Sequence, residues 1–144
     1  MSAVAACPML ASQAKTGKQA IKNEHRELII ETRQAKVGLS VDFEAAAAQA
    51  GASRLLKRWD YVLETRNDAA SLHAVEVHEF DRSVLKQKKA GTLEILRNRC
   101  PATALQVKSW HVILKGALPR QDMLARFRVD SGISLGRELH ITKL

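Results

Sequence analysis

The chain has 144 residues, enough for one domain with a sizeable core. Hydrophobic residues make up 46% and aromatics only 4%, so the core has to be built from Ala, Leu, Val and Ile. Seven Gly and three Pro exclude a collagen-like or low-complexity chain, and no apolar run approaches the ~20 residues of a membrane span. The dominant number is charge: 23 Lys+Arg against 15 Asp+Glu, net +8, with a pI of about 9.9.

Met1–Leu10 has no basic residue and too short an apolar stretch for a secretory signal. Residues 1–15 therefore read as a flexible terminal segment of a single domain, 1–144, with a cytoplasmic location expected. Ile21, His25, Leu28 and Thr32 fall at helical spacing, which predicts a helix from about Thr16 to Ala35. Val37, Leu39, Val41 and Phe43 alternate with polar or small residues and predict a strand. The Ala-rich run from Glu44 to Ala50 competes with that strand as a helical turn, with Asp42 as N-cap and Gly51 as stop.

Trp59–Thr65 and Leu72–Phe80 are β-rich and flank a turn-like Asn67–Ser71, which predicts a hairpin. Asp81–Arg99 reads as a basic helix with Asp81 at its start, although Gly91 costs about 1 kcal/mol there relative to Ala. Val107–Lys115 reads as an interior strand. Met123–Val129 and Arg137–Ile141 read as short final elements, one or two of them strands, separated by Asp130-Ser131-Gly132. A hairpin followed by a helical crossover to another strand predicts a mixed α/β sheet.

Side chains alternate across a strand, so Asp60, Val62 and Glu64 share one hairpin face with Glu76, His78 and Phe80. A turn centred near residue 69 sets Asp60 opposite His78 and Val62 opposite Glu76. Asp60 and Glu76 are then close enough to converge on one divalent cation. Such a cation polarises a phosphoryl group and lowers the pKa of a bound water, and His78 could position or deprotonate that water. The bland alternative is an exposed acidic face paired with Arg54, Lys57, Arg58 or Arg66.

Other constellations carry less. The five histidines lack zinc-site spacing. Cys7 and Cys100 form no disulfide framework or Cys-x-x-Cys motif, and Cys100 reads as a buried or incidental thiol. Gly132-Ile133-Ser134-Leu135-Gly136 has the form of a hydrolase elbow without its strand–turn–helix context and reads as a turn. The basic balance makes nucleic acid, DNA or RNA, the expected partner rather than a membrane.

The order of elements, with Asp60 on one strand and Glu76-Val77-His78 on the next, resembles the PD-(D/E)XK, restriction-endonuclease-like, nuclease superfamily over about residues 16–115. The resemblance implies a core of N-terminal helix, β-meander, crossover helix and further strand. It implies Mg²⁺ or Mn²⁺ on Asp60 and Glu76, supported by Glu27 (or Glu24 or Glu31). It departs at the lysine of the motif, where His78 stands; Lys88, or Lys89, on the following helix would then help His78 act on the water. Arg82, Lys86 and Lys89 would contact phosphates, and a homodimer is expected by the same resemblance. The implied activity is phosphodiester hydrolysis by a small nuclease or a nuclease-derived protein. The alternatives are a non-catalytic nucleic-acid-binding module and a protein-interaction or dimerisation domain.

Overall fold

The computed structural model describes all residues, 1–144. In chain order it contains α1 (Pro8–Ala11), β1 (Ala14–Thr16), α2 (Asn23–Arg26), β2 (Ile29–Ile30), β3 (Val37–Asp42) and α3 (Phe43–Gln49). The hairpin strands β4 (Tyr61–Thr65) and β5 (Leu72–Glu79) follow, then α4 (Arg82–Arg99), α5 (Pro101–Ala104) and β6 (Val107–Lys115). The chain closes with α6 (Gln121–Ser131), β7 (Ile133–Gly136), β8 (Leu139–His140) and a 3₁₀ turn over Ile141–Lys143.

Six strands form one mixed sheet in the order β1-β3-β4-β5-β6-β7. The first four pair antiparallel, while β5, β6 and β7 run parallel and are joined by the crossover helices α4 and α6. The expected mixed α/β class is what is found. Strands β2 and β8 make a separate two-stranded parallel pair.

One sheet face carries two adjoining apolar clusters. The first joins Val41, Val62 and Leu72 to Phe43, Ala46 and Ala47 of α3 and to Ile95 and Leu96 of α4. The second joins Ala74, Val112 and Ile133 to Trp59, Leu85, Trp110 and Phe127. The opposite face, with Tyr61, Leu63, Val75, Val77 and Ile113, is covered by Ile21, Ile29, Leu139 and Ile141. Both polar–apolar alternations read from the hairpin therefore have a buried partner layer, so all of Tyr61–Thr65 and Leu72–Val77 is buried.

Caps follow the sequence. The Asp42 carboxylate accepts from the Ala45 N–H and starts α3; Asp81 accepts from the Val84 N–H and starts α4. Gly91 has a role beyond its helix cost. The loop before β4 crosses α4 there so closely that a Cβ at Gly91 would overlap the Lys57 carbonyl. The next helix residue, Thr92, accepts the Trp59 N–H at 2.8 Å and donates to the Lys88 carbonyl at 2.8 Å.

Five expectations are corrected. Residues 16–35 form no long helix: Gly17 turns the chain at φ 58°, and the Lys18 ammonium binds the Arg26 and Ile29 carbonyls, holding a loop around the short α2. Residues 1–15 are packed rather than free, with Ala3, Val4, Cys7 and Leu10 at 1% exposure or less. Cys7 and Cys100 are not thiols but a disulfide, closing a sequence separation of 93. Met123–Val129 lies in a helix, because Leu124 and Phe127 recur at helical spacing against the core, and Gly132 ends that helix at φ 72°. Ile133–Gly136 is consequently strand β7, not a turn.

No helix is long and apolar enough to cross a membrane. Disulfides are kept by oxidising compartments and reduced in the cytosol. The Cys7–Cys100 bridge and the expected cytoplasmic location therefore pull in opposite directions.

Candidate active site

Tyr61 pairs with Val75 and Val62 with Ala74, which sets Asp60, just ahead of β4, opposite Glu76. The expected register, with Asp60 opposite His78, is off by two residues because the connection between Thr65 and Leu72 centres one residue earlier than assumed. A shift of two preserves the face, so the two acids are brought closer rather than separated.

They interlock. The Asp60 N–H donates to Glu76 Oε1 at 2.8 Å, and the Val77 N–H donates to Asp60 Oδ2 at 3.0 Å. Lys88, one turn after the inward-facing Leu85 on α4, forms an ion pair with Glu76 Oε2. The cluster is thus two carboxylates from facing strands and one ammonium from the crossover helix. Position is set from both sides: the β4–β5 register fixes the acids, and the Gly91–Thr92 crossing fixes the chain at Trp59 beside α4.

Glu76 is fully buried, at 0% exposure. Burial pushes its pKa up to about 7, the neighbouring Asp60 charge pushes in the same direction, and Lys88 only partly opposes them. Lys88 pairs with Glu76 alone, and Asp60 makes no ion pair. Asp60 and Glu76 carry the oxygen donors that hard cations such as Mg²⁺ or Mn²⁺ prefer. Both Glu76 oxygens are engaged, so a cation there competes with the Lys88 ammonium for Oε2. No group of three His, Cys, Asp or Glu side chains stands ready to hold a metal.

Asp60 opens onto a cleft of about 210 Å³ with Lys22, Asp42, Glu44 and Tyr61 on its walls. Asp42 and Glu44 were not singled out as site residues from the sequence. Asp42 pairs with Tyr61 across β3 and β4, and Glu44 lies two residues on, in the first turn of α3. The Glu44 carboxylate is 3.4 Å from the Arg58 guanidinium. The competing assignments of residues 41–44 left this acidic mouth illegible. Tyr61 has its pKa raised by burial, and its hydroxyl meets His25 Nδ1 at 2.8 Å.

The remaining sequence candidates are dispersed. His78 shares the Glu76 face, but its Nδ1 lies 2.6 Å from the Glu79 carbonyl and it bonds neither carboxylate. Glu27 is exposed at the end of the four-residue α2 and lies outside the cleft, because the long helix meant to present it does not form. Glu24 lies 3.7 Å from His25; Glu31 accepts from the Val37 N–H at 2.8 Å and faces Lys18 at 3.6 Å.

Of the expected phosphate contacts, Arg82 and Lys86 are exposed on α4. Lys89 is not free for a phosphate: its ammonium donates to the Ser131 carbonyl at 2.6 Å and lies 5.4 Å from the Trp110 ring. Arg82 instead shares a cleft of about 190 Å³ with Arg120, Met123 and Arg126. That cleft sits where α4 and α6 begin, beyond the C-terminal ends of β5 and β6.

Comparison with protein-family models, with curated proteins and with solved structures finds no match to this chain.

Proposed function

We propose that the protein is a small metal-dependent nuclease of restriction-endonuclease-like architecture, acting on phosphodiester bonds of DNA or RNA. The observation that carries this reading is the Asp60–Glu76–Lys88 cluster. It supplies two acids and one lysine, with the ammonium delivered from α4 in place of the motif position that His78 occupies. Support comes from the path of the chain: antiparallel β3, β4 and β5, then crossover α4 and parallel β6.

Asp60 and Glu76 would hold the divalent cation, which when bound supplies Lewis acidity toward the phosphoryl group and a water of lowered pKa. Lys88, released from Glu76, would hold a proton at Nζ beside the attacking water and offset the charge developing on phosphate oxygens. The Asp60–Glu76 backbone interlock orients both carboxylates in advance. Arg82, Arg120 and Arg126 would receive a flanking phosphate of the strand.

The test is incubation of the purified chain with single-stranded, duplex and structured DNA and RNA, with Mg²⁺, with Mn²⁺ and with chelator. Metal-dependent cleavage abolished in Asp60→Ala, Glu76→Ala and Lys88→Ala is the expected result. Cleavage that survives all three substitutions removes the site assignment.

A second reading is favoured by one observation: both Glu76 oxygens are already engaged. A cluster closed in this way also suits a nuclease-derived protein that only binds nucleic acid. Salt-sensitive binding without cleavage would select it. Absence of both would leave the protein-interaction or dimerisation reading.

A further inference from the structure

A second polar assembly lies on the sheet face opposite Glu76. Glu76 is in register with Val112, so its neighbour His111 points the other way, as do His73 and Ser109. The Ser109 hydroxyl joins the two rings: His73 Nδ1 is 2.6 Å from Oγ and His111 Nε2 is 2.8 Å from it. His73 is 1% exposed, whereas His111 is half-buried and forms part of the wall of a cavity of about 380 Å³. That volume is in the range of small-ligand sites.

The cavity is built from β6, β7 and the C-terminal segment. Ser134, the register partner of His111, lies beside it, with Arg128, Lys143, His140 and Glu138 around them. Glu138 is 3.3 Å from His140, while neither Arg128 nor Lys143 makes an ion pair. Two cations outside any ion pair, a hydroxyl and two imidazoles thus line one cavity, whose only carboxylate, Glu138, is turned to His140 on the same wall. Apolar wall is supplied by Ile113, Leu135 and Leu139.

We propose that this cavity is a binding site for a small oxyanion, a phosphate- or carboxylate-bearing molecule, held by Arg128 and Lys143 and sensed by the His111–Ser109–His73 chain. The site is separate from the Asp60–Glu76 cluster, and the proposal does not rest on the nuclease reading. The chain has a direction. Ser109 has one proton to donate, so at most one imidazole accepts from it and the other must donate to it. His111 engages Ser109 through Nε2, leaving Nδ1 as its other ring nitrogen. An anion accepting a hydrogen bond from His111 selects the Nδ1–H tautomer. Ser109 must then donate to His111 Nε2, and His73 Nδ1–H must donate to Ser109. Occupancy is thereby written onto a buried histidine that no ligand touches.

In the absence of ligand, burial holds the His111 pKa down to about 4, with His73 and Arg128 acting in the same direction. Burial and Lys108 lower that of His73, against Asp68. The groups facing His111 are therefore His73, Ser109, Arg128, Ser134, His140, Glu138 and Lys143. A bound anion favours the imidazolium and moves its midpoint upward.

The test is nuclear magnetic resonance of the imidazole nitrogens and carbon-bound protons in the intact chain at constant ionic strength. Inorganic phosphate, malonate and adenosine monophosphate are titrated separately. Saturable movement of the His111 and His73 signals, with the His111 midpoint raised by about one pH unit, is expected. R128Q/K143Q should weaken saturation about tenfold or more. Ser109→Ala should leave the His111 response and abolish that of His73. Tighter saturation by adenosine monophosphate than by phosphate identifies a nucleotide-like ligand, and tighter saturation by malonate a dicarboxylate; both support the site. No saturable movement with any probe, or identical saturation in R128Q/K143Q, overturns it. Neither result alters the cleavage test of Asp60 and Glu76.

Discussion

Lys88 reaches from the middle of α4 to the fully buried Glu76 on β5 and supplies its only ion-pair partner. Removing that ammonium leaves a buried carboxylate without its partner. Lys88→Met, which keeps length and packing, is expected to cost about 3 kcal/mol above pH 7, in the range for breaking buried ion pairs. Below pH 6 the cost shrinks, because a protonated Glu76 needs no cation. Urea denaturation at pH 5.5 and pH 8.5 checks this; an equal loss at both values would contradict it.

Glu76 itself gives the protein a pH signature. Its folded pKa is raised from 4.5 to about 7, so the folded state binds the proton more tightly than the unfolded state. The associated stability is fully present below pH 4.5 and is lost as pH rises from about 4.5 to 7, by up to about 3 kcal/mol. Glu76→Gln should flatten that part of the stability profile. A wild-type profile rising over the same interval, with the variant parallel to it, would disprove the assignment.

Gly91 has no room for a side chain because the Lys57 carbonyl occupies the space of its Cβ. Gly91→Ala therefore gains helix propensity yet is expected to lose about 1–3 kcal/mol through forced separation of loop and helix. Thr92→Val removes the acceptor of the Trp59 N–H and should cost about 1–3 kcal/mol. Melting temperatures of the two variants check both values, and a stabilised Gly91→Ala would refute the crossing.

The Cys7–Cys100 bridge closes a long loop. Its removal in Cys7→Ser/Cys100→Ser, or by reductant, should destabilise by about 2–4 kcal/mol. Intact mass with and without reduction establishes the bond, and denaturation of the two forms establishes its worth.

The sequence made the hairpin, α4 and β6 legible because period-two apolar runs and a capped helix there agree with the packing. Asp60 and Glu76 were legible as candidates for the same reason, strand alternation being a local property, whereas Lys88 entered only through the family resemblance, beside Lys89. The N-terminal third was not. Ile21 and Leu28 have helical spacing, but each is packed from loop or short turn, and what fixes that path is the long-range reach of Lys18 to two carbonyls. The roles of Gly91 and of the Ser109-linked histidines were hidden because each depends on a neighbour distant in sequence: Lys57 for Gly91, and His73 for Ser109. Lys89 shows the converse: exposed-looking in its helix, it is drawn inward by Ser131 and Trp110.

The packing of the first ten residues has a consequence for biosynthesis. Ser2 and the Val4 N–H both bind the Glu64 carboxylate, and Val4 and Leu10 share one apolar cluster with Ile95 and Leu96. During synthesis this segment thus waits for a helix translated some ninety residues later. Until then its apolar side chains lack their final cover, and a chaperone or early partner would find them there. An expression vector that trims or replaces this leading stretch removes part of the interior rather than a tail.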